Sequence, residues 1–464
     1  MALHMARALL LVVVLCICYS IAHGGDQHSF VVVPTSSLEP ESICSTSTGT
    51  AKPERNHTTV TMPLVHRHGP CAPSRSTDKP SFTEALRRNL ARMNHIKSMM
   101  KITQDAEKLS IPTHLGSSVD SLEYVVTVGI GTPAVPRVVL IDTGSDLSWV
   151  QCKPCNSGEC SPQKNPLFDP SNSSTYSPIP CGSDPCKKLA GDDYGSGCTD
   201  GDKHCRFAIV YADGSSTKGV YSTDTLTLAP GVELKDFHFG CGRDKRLIGK
   251  YDGLLGLGRL PESLEQQYGG GGDGGAFSYC LPAVSSNPGF LALGVSGENN
   301  PSAFVFTPMG SSVPGQPTFY TVTLTGIAVG GRKLDLPQSA FDGGMVVDSG
   351  TVVTALQSTA FRELRSAFRE AMAAYPLVPN GHNDTCYNFT GHKAVAVPRV
   401  ALTFSGGATV DLDVPKGVLV DGCLAFAESG MDGGVGFLGN VNQRTFEVLF
   451  DNSRSRIGFR ANAC

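Results

Sequence analysis

The stretch Leu140-Ile141-Asp142-Thr143-Gly144-Ser145 decides the fold of this chain. The apolar, β-branched run 137–141 predicts a buried strand, and it carries Asp142 into a tight turn. A second copy, Met345-Val346-Val347-Asp348-Ser349-Gly350-Thr351, places Asp348 206 residues further on (348 − 142). One Asp-Thr-Gly triplet is ordinary turn chemistry. Two copies, each after an apolar strand, indicate a duplicated half-domain with a site where the halves meet.

The two aspartates point to acid–base chemistry. Two carboxyls that face each other cannot both ionise cheaply, so they share one proton and titrate as a unit. The ionised carboxylate can then take a proton from water while its protonated partner donates to a carbonyl oxygen. The pair therefore predicts amide hydrolysis without a covalent intermediate. The groups that we expect to hold the carboxylates coplanar are the hydroxyls of Thr143 and Ser349 and the N–H groups of Gly144 and Gly350.

The N-terminus has the pattern of a secretory signal. A basic start is followed by the apolar run 8–21 and then by small residues, which predicts a signal peptide over residues 1–24. The run is too short to span a membrane with margin, and the last residues, Asn462-Ala463-Cys464, do not resemble an anchor. We therefore expect a protein without a membrane anchor that is secreted to the extracellular space or cell wall, with the vacuole as the alternative.

Cysteine usage agrees with export. Of the sixteen cysteines, twelve lie from Cys152 onward, an even number suited to six disulfides in an oxidising compartment. The Cys152-x-x-Cys155 spacing also suits zinc, but only His204 and His238 lie nearby, so disulfides are favoured. The cysteines predicted to be bonded are Cys152, Cys155, Cys160, Cys181, Cys186, Cys198, Cys205, Cys241, Cys280, Cys386, Cys423 and Cys464.

Composition and sequons give further expectations. The 52 glycines and 30 prolines, with charged residues at 17%, favour a turn-rich β protein. Four Asn-x-Ser/Thr sequons predict glycosylation in exposed loops, and the alternative for each is an unmodified polar loop. The sequon asparagines are Asn56, Asn172, Asn383 and Asn388.

The segment after the signal differs from the rest of the chain. Residues 25–111 hold 11 basic and 8 acidic residues, whereas residues 112–464 hold 26 and 34. Ser81-Phe82-Thr83-Glu84 has a capping-box pattern and begins a predicted helix. Its apolar residues recur at helical spacing, with basic residues on the other face. The apolar positions are Phe82, Leu86, Leu90, Met93, Ile96 and Met100.

This basic leader before an acidic body predicts a propeptide, residues 25–115, that lies over a negatively charged cleft. The alternative is a disordered basic linker. Acid would neutralise the body's carboxylates and loosen the leader. We therefore expect self-processing below about pH 5, by cleavage between Leu109 and Leu122.

The body repeats one plan. Residues 207–215 predict a β-hairpin, with Asp213-Gly214 as its turn. Each Asp turn is followed later by an apolar-apolar-Gly strand, Leu254-Leu255-Gly256 in the first half and Phe437-Leu438-Gly439 in the second. We predict a mainly β, two-lobed protein with a few short helices. Its parts are an N-terminal lobe over 116–285, with a cysteine-rich insertion at 152–205, and a C-terminal lobe over 286–464.

The twinned Asp turns, Trp149 and the hairpin residue Tyr211 resemble those of a pepsin-type aspartic endopeptidase. The likeness runs from Tyr124 to Cys464, and the cysteine-rich insertion resembles the nepenthesin-type plant branch. The resemblance implies an all-β, bilobal acid protease fold with a central cleft, made as a zymogen with its propeptide as intramolecular inhibitor. It also implies a monomer that takes an extended peptide substrate and uses no cofactor, metal or nucleic acid.

Roles follow from the resemblance for individual residues. Asp142 and Asp348 would form the catalytic dyad, with Thr143 and Ser349 as a hydroxyl lock in place of the more usual Thr/Thr pair. Ser145 and Thr351 would hydrogen-bond the outer carboxylate oxygens. Tyr211, Asp213 and Gly214 would belong to the substrate-binding flap, with Trp149 as the indole partner of Tyr211. The alternative for Tyr211 is a strand aromatic, and for Trp149 a core residue.

The resemblance also implies disulfide pairs and shows one departure. Asn440 stands where the family often carries aspartate after the second Leu-Gly. The implied pairs are Cys152–Cys155, Cys160–Cys241, Cys181–Cys205, Cys186–Cys198, Cys280–Cys464 and Cys386–Cys423.

Two rival functions remain open from the residues alone. One is a catalytically inactive pepsin-fold protein that inhibits cell-wall hydrolases; the intact Asp turns argue against it. The other is a glycosidase, which also uses two carboxylates. Twinned turns and a single tryptophan disfavour that reading.

Overall fold

The structure is a computed structural model of the 464-residue chain. The residues that it describes are 30–38, 54–56, 59–69, 71–72, 82–102, 124–155, 163, 165–191, 197–198, 201–210, 216–246, 251–269, 275–283, 289–294, 303–310, 317–380 and 383–464.

The leader contributes three strands and one long helix: β1 (Phe30–Pro34), β2 (Glu54–Asn56), β3 (Thr59–His66) and α1 (Phe82–Ile102). The first half of the body contains β4 (Tyr124–Ile130), β5 (Val135–Asp142), β6 (Trp149–Gln151), β7 (Ser177–Pro178), α2 (Asp184–Gly191), β8 (Arg206–Val210), β9 (Ser216–Ala229), β10 (Val232–Arg246), β11 (Gly253–Gly256), α3 (Leu264–Tyr268), β12 (Ala276–Cys280) and β13 (Gly289–Leu293).

The second half continues the numbering with β14 (Val305–Pro308), β15 (Thr321–Val322), β16 (Leu324–Val329), β17 (Arg332–Lys333), β18 (Met345–Val347), β19 (Thr354–Gln357), α4 (Ser358–Ala371), β20 (Leu377–Asn380), β21 (Asn383–Tyr387), β22 (Ala394–Pro398), β23 (Val400–Phe404), β24 (Thr409–Asp411), β25 (Leu419–Val420), β26 (Cys423–Leu424), β27 (Phe426–Gly430), β28 (Gly436–Leu438), β29 (Glu447–Asp451) and β30 (Arg456–Arg460).

The two halves share one local plan. In the first, β5 runs parallel to β11, and Asp142 lies opposite Gly256. In the second, β18 runs parallel to β28, and the Asp348 N–H donates to the Leu438 carbonyl at 3.1 Å. Each apolar-apolar-Gly strand therefore supports the strand that ends on an aspartate. The predicted two-lobed, mainly β fold is confirmed.

A long sheet joins the lobes through the leader. Its strand order is β14-β30-β29-β12-β13-β3-β4-β5-β11-β6-β10-β9-β7. Strand β3 pairs with β13 through Val60–Leu64 and with β4 through Val65 and His66. Its residues alternate between half-buried and buried, and Val60, Met62 and Leu64 are fully buried. The leader therefore supplies a central strand of the sheet.

The leader helix forms as predicted and lies on the second half. Its buried side chains include Phe82, Leu86, Met93 and Ile96, whereas Leu90 remains 37% exposed. They form one apolar cluster with residues of the second half: Phe319, Val346, Val352, Val353, Ala355, Ala425, Ala427, Phe437 and Val441. In the first half, helix α3 is preceded by a turn over residues 260–263, in which the Ser263 N–H donates to the Leu260 carbonyl at 3.0 Å.

Five disulfides have both cysteines in the described residues. Cys280–Cys464 and Cys386–Cys423 are paired as the resemblance implied. The other implied pairs differ, since Cys152 bonds to Cys241, Cys181 to Cys198 and Cys186 to Cys205. Cys155 and the leader residue Cys71 are also disulfide-bonded, and Cys160 lies outside the described residues.

The corrections have a spatial cause. Strands β6 and β10 run parallel, and the Cys152 N–H donates to the Gly242 carbonyl, which brings Cys152 to Cys241. In the insertion, the sulfur atoms of Cys186 and Cys198 lie only 3.6 Å apart although they are not bonded. Sequence spacing cannot choose between partners that are all within reach.

Candidate functional site

Asp142 and Asp348 meet at the join of the two lobes, where both carboxyl groups are buried. Each follows the last residues of a buried strand and enters a turn of Ser/Thr and Gly. Parallel strands on one side fix the backbone at both positions. The sequence therefore places the two acids with the symmetry of the duplicated halves.

The hydrogen bonds of the two carboxylates match one another. Oδ1 of Asp142 accepts the Gly144 N–H at 3.0 Å, and Oδ1 of Asp348 accepts the Gly350 N–H at 2.9 Å. The outer Oδ2 atoms accept hydroxyl groups, Ser145 Oγ and Thr351 Oγ1, each at 2.6 Å. These contacts hold both oxygens of each carboxylate in place. We call the two Oδ1 atoms the inner oxygens and the two Oδ2 atoms the outer oxygens.

Thr143 and Ser349 lock the two turns together beneath the acids. The Thr143 N–H donates to Ser349 Oγ at 3.1 Å, and the Ser349 N–H donates to Thr143 Oγ1 at 2.9 Å. The Thr143 hydroxyl also donates to the Val347 carbonyl at 3.2 Å. Since all these groups are buried, the exchange fixes the spacing of the lobes at the site.

Arg92 of the leader helix lies between the two acids. Its Nη2 atom donates to Asp142 Oδ1 at 2.6 Å and to Asp348 Oδ1 at 2.8 Å, and its Nε donates to Asp348 Oδ2 at 2.6 Å. The arginine is itself buried, with 8% exposure. One guanidinium thus contacts both carboxylates, forms a two-bond fork on Asp348 and occupies the space between them.

The two turn glycines leave room for this guanidinium. A Cβ atom at position 144 or 350 would overlap the Arg92 guanidinium group. Glycine is therefore required at both positions if a group as large as a guanidinium is to contact the two carboxylates.

Electrostatics at the site are set by burial and by Arg92. Burial alone would raise the pKa of Asp348, but the Arg92 charge and the bonds from Arg92, Thr351 and Gly350 hold that pKa below its ordinary value. Burial likewise disfavours the charged form of Arg92, yet Asp142 and Asp348 together raise its pKa. The leader therefore favours the ionised form of Asp348.

Asn89 anchors the same helix one turn before Arg92. Its Oδ1 accepts the N–H groups of Val352 and Val353 at 2.7 and 3.1 Å, and its Nδ2 donates to the Val353 carbonyl at 3.2 Å. A carboxamide presents the same donor and acceptor as a peptide group. The backbone at Val352 and Val353 therefore binds the Asn89 carboxamide as it would bind a peptide group.

The predicted substrate-binding residues are only partly described. The hairpin formed by β8 and β9 is present, with Val210 opposite Ser216. Its tip, with Tyr211, Asp213 and Gly214, lies outside the described residues. Trp149 is buried at 1% exposure in an apolar cluster of the first lobe, 6.4 Å from the Tyr251 ring.

Asn440 and the sequons also have defined places. Asn440 is buried and its Nδ2 donates to the Ser349 carbonyl at 3.1 Å, so it supports the second Asp turn. Asn172 and Asn388 are exposed. The side chains of Asn56 and Asn383 lie outside the described part of the chain.

Arg92 and Asn89 were not among the predicted site residues, because the basic residues of the leader helix were assigned to the face opposite its apolar stripe and Asn89 was given no role. A signal existed. Asn89, Arg92 and Ile96 recur at spacings of three and four, so two polar residues share the apolar stripe. A cation inside such a stripe requires a buried anionic partner.

The comparisons agree with this geometry. Two family models match, described as xylanase inhibitor N-terminal over residues 124–295 and xylanase inhibitor C-terminal over residues 319–461. An aspartyl protease family protein of Arabidopsis thaliana is 35% identical over 98% of both chains. Aspartic proteinase nepenthesin-2 of Nepenthes gracilis is 33% identical over 82% of this chain and 85% of its own.

Solved structures share the fold. Basic 7S globulin from soybean has a TM-score of 0.58 at 21% identity, covering 74% of this chain and 91% of its own. The structure of edgp has a TM-score of 0.60 at 18% identity, covering 89% and 96%.

A bilobal β fold that brings together two Asp turns defines the class of pepsin-like proteins. This chain belongs to the plant aspartic protease family that includes the nepenthesins. Within the described residues, no helix is long and apolar enough to cross a membrane.

Proposed function

We propose that this protein is a secreted aspartic endopeptidase, made as a zymogen, that hydrolyses peptide bonds between Asp142 and Asp348. The observation that carries the proposal is the matched geometry of the two buried carboxylates. A single nitrogen of Arg92 reaches an inner oxygen of both. The same space can therefore hold one small group bonded to both acids.

The mechanism uses only the chain's own residues. Without Arg92 the two carboxyls share one proton. The ionised member takes a proton from a water held between them, and that water attacks the peptide carbonyl carbon. The protonated member donates to the carbonyl oxygen, and the collapse of the tetrahedral intermediate passes a proton to the leaving nitrogen. Ser145, Thr351 and the two turn glycines keep both acids oriented throughout.

The leader, residues 25–115, acts in this proposal as the intramolecular inhibitor. Arg92 fills the position of the catalytic water, and helix α1 covers the apolar wall at which an extended peptide would bind. The N-terminal lobe over 116–285 and the C-terminal lobe over 286–464 form the catalytic body. Tyr211, Asp213 and Gly214 belong to the flap, and the body acts as a monomer without cofactor.

Substitution of either acid tests the proposal. Asp142→Asn and Asp348→Asn should each abolish hydrolysis of a denatured protein at acid pH after the leader has been removed by an added protease. A neutral amide can neither share the proton nor act as base. Asp335→Asn, at an exposed position, is the matched control and should retain activity. Turnover by purified Asp142→Asn protein near the wild-type rate would exclude the mechanism.

The description of both family models as xylanase inhibitor domains supports a second candidate, an inactive pepsin-fold inhibitor of cell-wall hydrolases. The same preparations decide between them. Wild-type protein that cleaves no denatured substrate between pH 2 and pH 6, yet slows a xylanase, would have the inhibitor function.

A further inference from the structure

The first leader strand covers an edge of the second lobe that lies apart from the two acids. Strand β1 runs antiparallel to β22, from Phe30 opposite Pro398 to Pro34 opposite Ala394. Among the described residues, the ladder of β22 is formed with β1 alone. On the side of β22 away from β1, the Ala396 N–H donates to Tyr375 Oη at 2.8 Å. Within the described part of the chain, the outer edge of β22 is therefore closed only by β1, a segment that the proposed maturation removes.

The backbone of β1 is held through alternate residues. The Thr35 N–H donates to the Lys393 carbonyl at 3.0 Å, just beyond the strand. Antiparallel ladders alternate between bonded and unbonded pairs. The N–H groups of Val31 and Val33 therefore face β22, and the N–H of Val32 points away from it.

The side chains of β1 alternate in the same way between buried and exposed positions. Val33 is 4% exposed and belongs to the main core, and Val31 packs against that core. Val32 is 71% exposed. The Phe30 ring lies over the turn at Gly330. The valines at alternate positions of β1, Val31 and Val33, are therefore the ones that pack against the core.

The covered edge continues toward the cleft along the surface of the second lobe. After β1, the turn Thr35–Leu38 packs against Val414–Val418, which packs in turn against Val441–Gln443. Val441 belongs to the apolar cluster beneath helix α1. One polypeptide chain can therefore occupy both the edge of β22 and the cleft, if a linking segment joins its two bound parts.

We propose that the outer edge of β22 is a second peptide-binding site, which holds an extended apolar segment of a polypeptide substrate once the leader has left. Main-chain bonds to the exposed edge of a strand give affinity, and pockets for alternate side chains give specificity. An open edge that kept no occupant would favour aggregation. The inference rests on the proposed endopeptidase function, because that function supplies extended polypeptides as ligands.

Binding can be tested without catalysis. The full-length chain carrying Asp142→Asn is prepared with either Val33→Asp, which should expel β1, or Val32→Asp, the same change on its outward face. Hydrogen exchange at residues 394–398 reports whether the edge has opened. If Val33→Asp leaves it closed, Thr35→Pro is added to remove the bond to Lys393.

A fluorescent peptide of residues 29–38 should then bind the opened protein at least tenfold more tightly than the Val32→Asp protein, and should restore protection at 394–398. N-methylation at Val33 of the peptide should abolish binding, because that N–H faces the edge, whereas N-methylation at Val32 should not. An opened edge that does not bind the peptide, or equal loss with both methylations, would overturn the proposal.

The substrate role is tested on acid-matured wild-type protein freed of its leader. A cleavable hexapeptide is compared with the same hexapeptide joined by twenty Gly/Ser residues, a reach of about 25 Å, to the segment 30–38. The extended substrate should show a KM at least fivefold lower with kcat unchanged, and Asp in place of its Val33 should remove the gain. Equal KM values for all three would refute the site. Absence of any turnover would instead refute the proposed function, and the binding experiment would stand.

Discussion

At the scale of single residues, Arg92 is the leader residue that contacts both acids. Its pairing with Asp348 lowers the pKa of that carboxyl. A depressed folded-state pKa stabilises the docked leader above the ordinary carboxylate pKa of about 4, and this stabilisation is lost as pH falls through the lower value. The contact at the acids should therefore persist below the pH of about 5 at which exposed carboxylates begin to titrate.

Arg92→Met should raise the pH at which the precursor matures by at least one unit. The methionine keeps the apolar length of the side chain but leaves two buried carboxylates without a cation, so they regain their shared proton and the leader loses its strongest contact. Conversion is followed by gel electrophoresis against pH. Arg87→Met, at a partly exposed arginine that pairs with Glu84 within the leader helix, is the control, and an equal shift in both variants would contradict the role of Arg92.

The hydroxyl lock gives a second prediction at this scale. Ser349→Ala should lower the free energy of unfolding by about 1–3 kcal/mol, because the buried Thr143 N–H loses its acceptor. Peptidase activity should fall more steeply than stability, since the spacing of the acids depends on the same bond. Ser349→Thr, which keeps the oxygen, should restore both. Denaturant unfolding and turnover measure the two effects, and an alanine variant with unchanged activity would contradict the lock.

The residues that could be predicted from sequence were those that occur twice. Asp142, Asp348 and their turn neighbours could be identified because the same pattern follows an apolar strand twice. Arg92 and Asn89 occur once, within a helix that has many polar residues. Only their spacing, which places them on the apolar stripe of the helix, distinguishes them from the other polar residues. That spacing can be interpreted only when the acids that Arg92 contacts are known.

At the scale of elements, helix α3 carries a buried acid of its own. Oε2 of Glu265 accepts the Gln266 side-chain amide at 2.7 Å, and the residue is buried, with 2% exposure. Burial raises the pKa of Glu265 to about 7. A raised folded-state pKa means that its contribution to stability is complete below about pH 4.5 and is lost as pH rises through 7.

Glu265→Gln should therefore increase the free energy of unfolding by about 2–3 kcal/mol at pH 8 and leave it nearly unchanged at pH 4. Glutamine keeps the shape and removes the charge that burial disfavours. Denaturant unfolding at the two pH values gives the comparison. Exposed Glu233→Gln is the control, and a gain of equal size at both pH values would show that the titration of Glu265 is not the cause.

Elements with local periodicity were predictable, and pairings between distant segments were less so. The leader helix and the β8–β9 hairpin follow from spacing and turn residues. The disulfides Cys152–Cys241, Cys181–Cys198 and Cys186–Cys205 did not, because strand neighbours and clustered sulfurs decide them. Strand β3 was missed as well. It contains Pro63, and its strand form depends on pairing with β13 and β4.

At the scale of the whole molecule, the position of β3 predicts a difference in refolding. The precursor contains the strand that bridges β13 and β4, whereas protein cleaved between Leu109 and Leu122 does not carry it covalently. After unfolding in urea with disulfides intact, the precursor should recover native fluorescence with at least tenfold higher yield than matured protein. Matured protein supplied with a synthetic peptide of residues 54–72 should recover part of the difference. Equal yields for all three would contradict the prediction.

The place of β3 in the central sheet predicts that folding and long-term stability depend on different parts of the chain. The strand needed to assemble the sheet would lie in a segment that the mature protein no longer contains. After that loss, the body would hold its shape through the height of the barrier to unfolding rather than through the depth of its free-energy minimum. Each molecule would then fold once, and its working lifetime in an acid medium would be measured as a rate of unfolding.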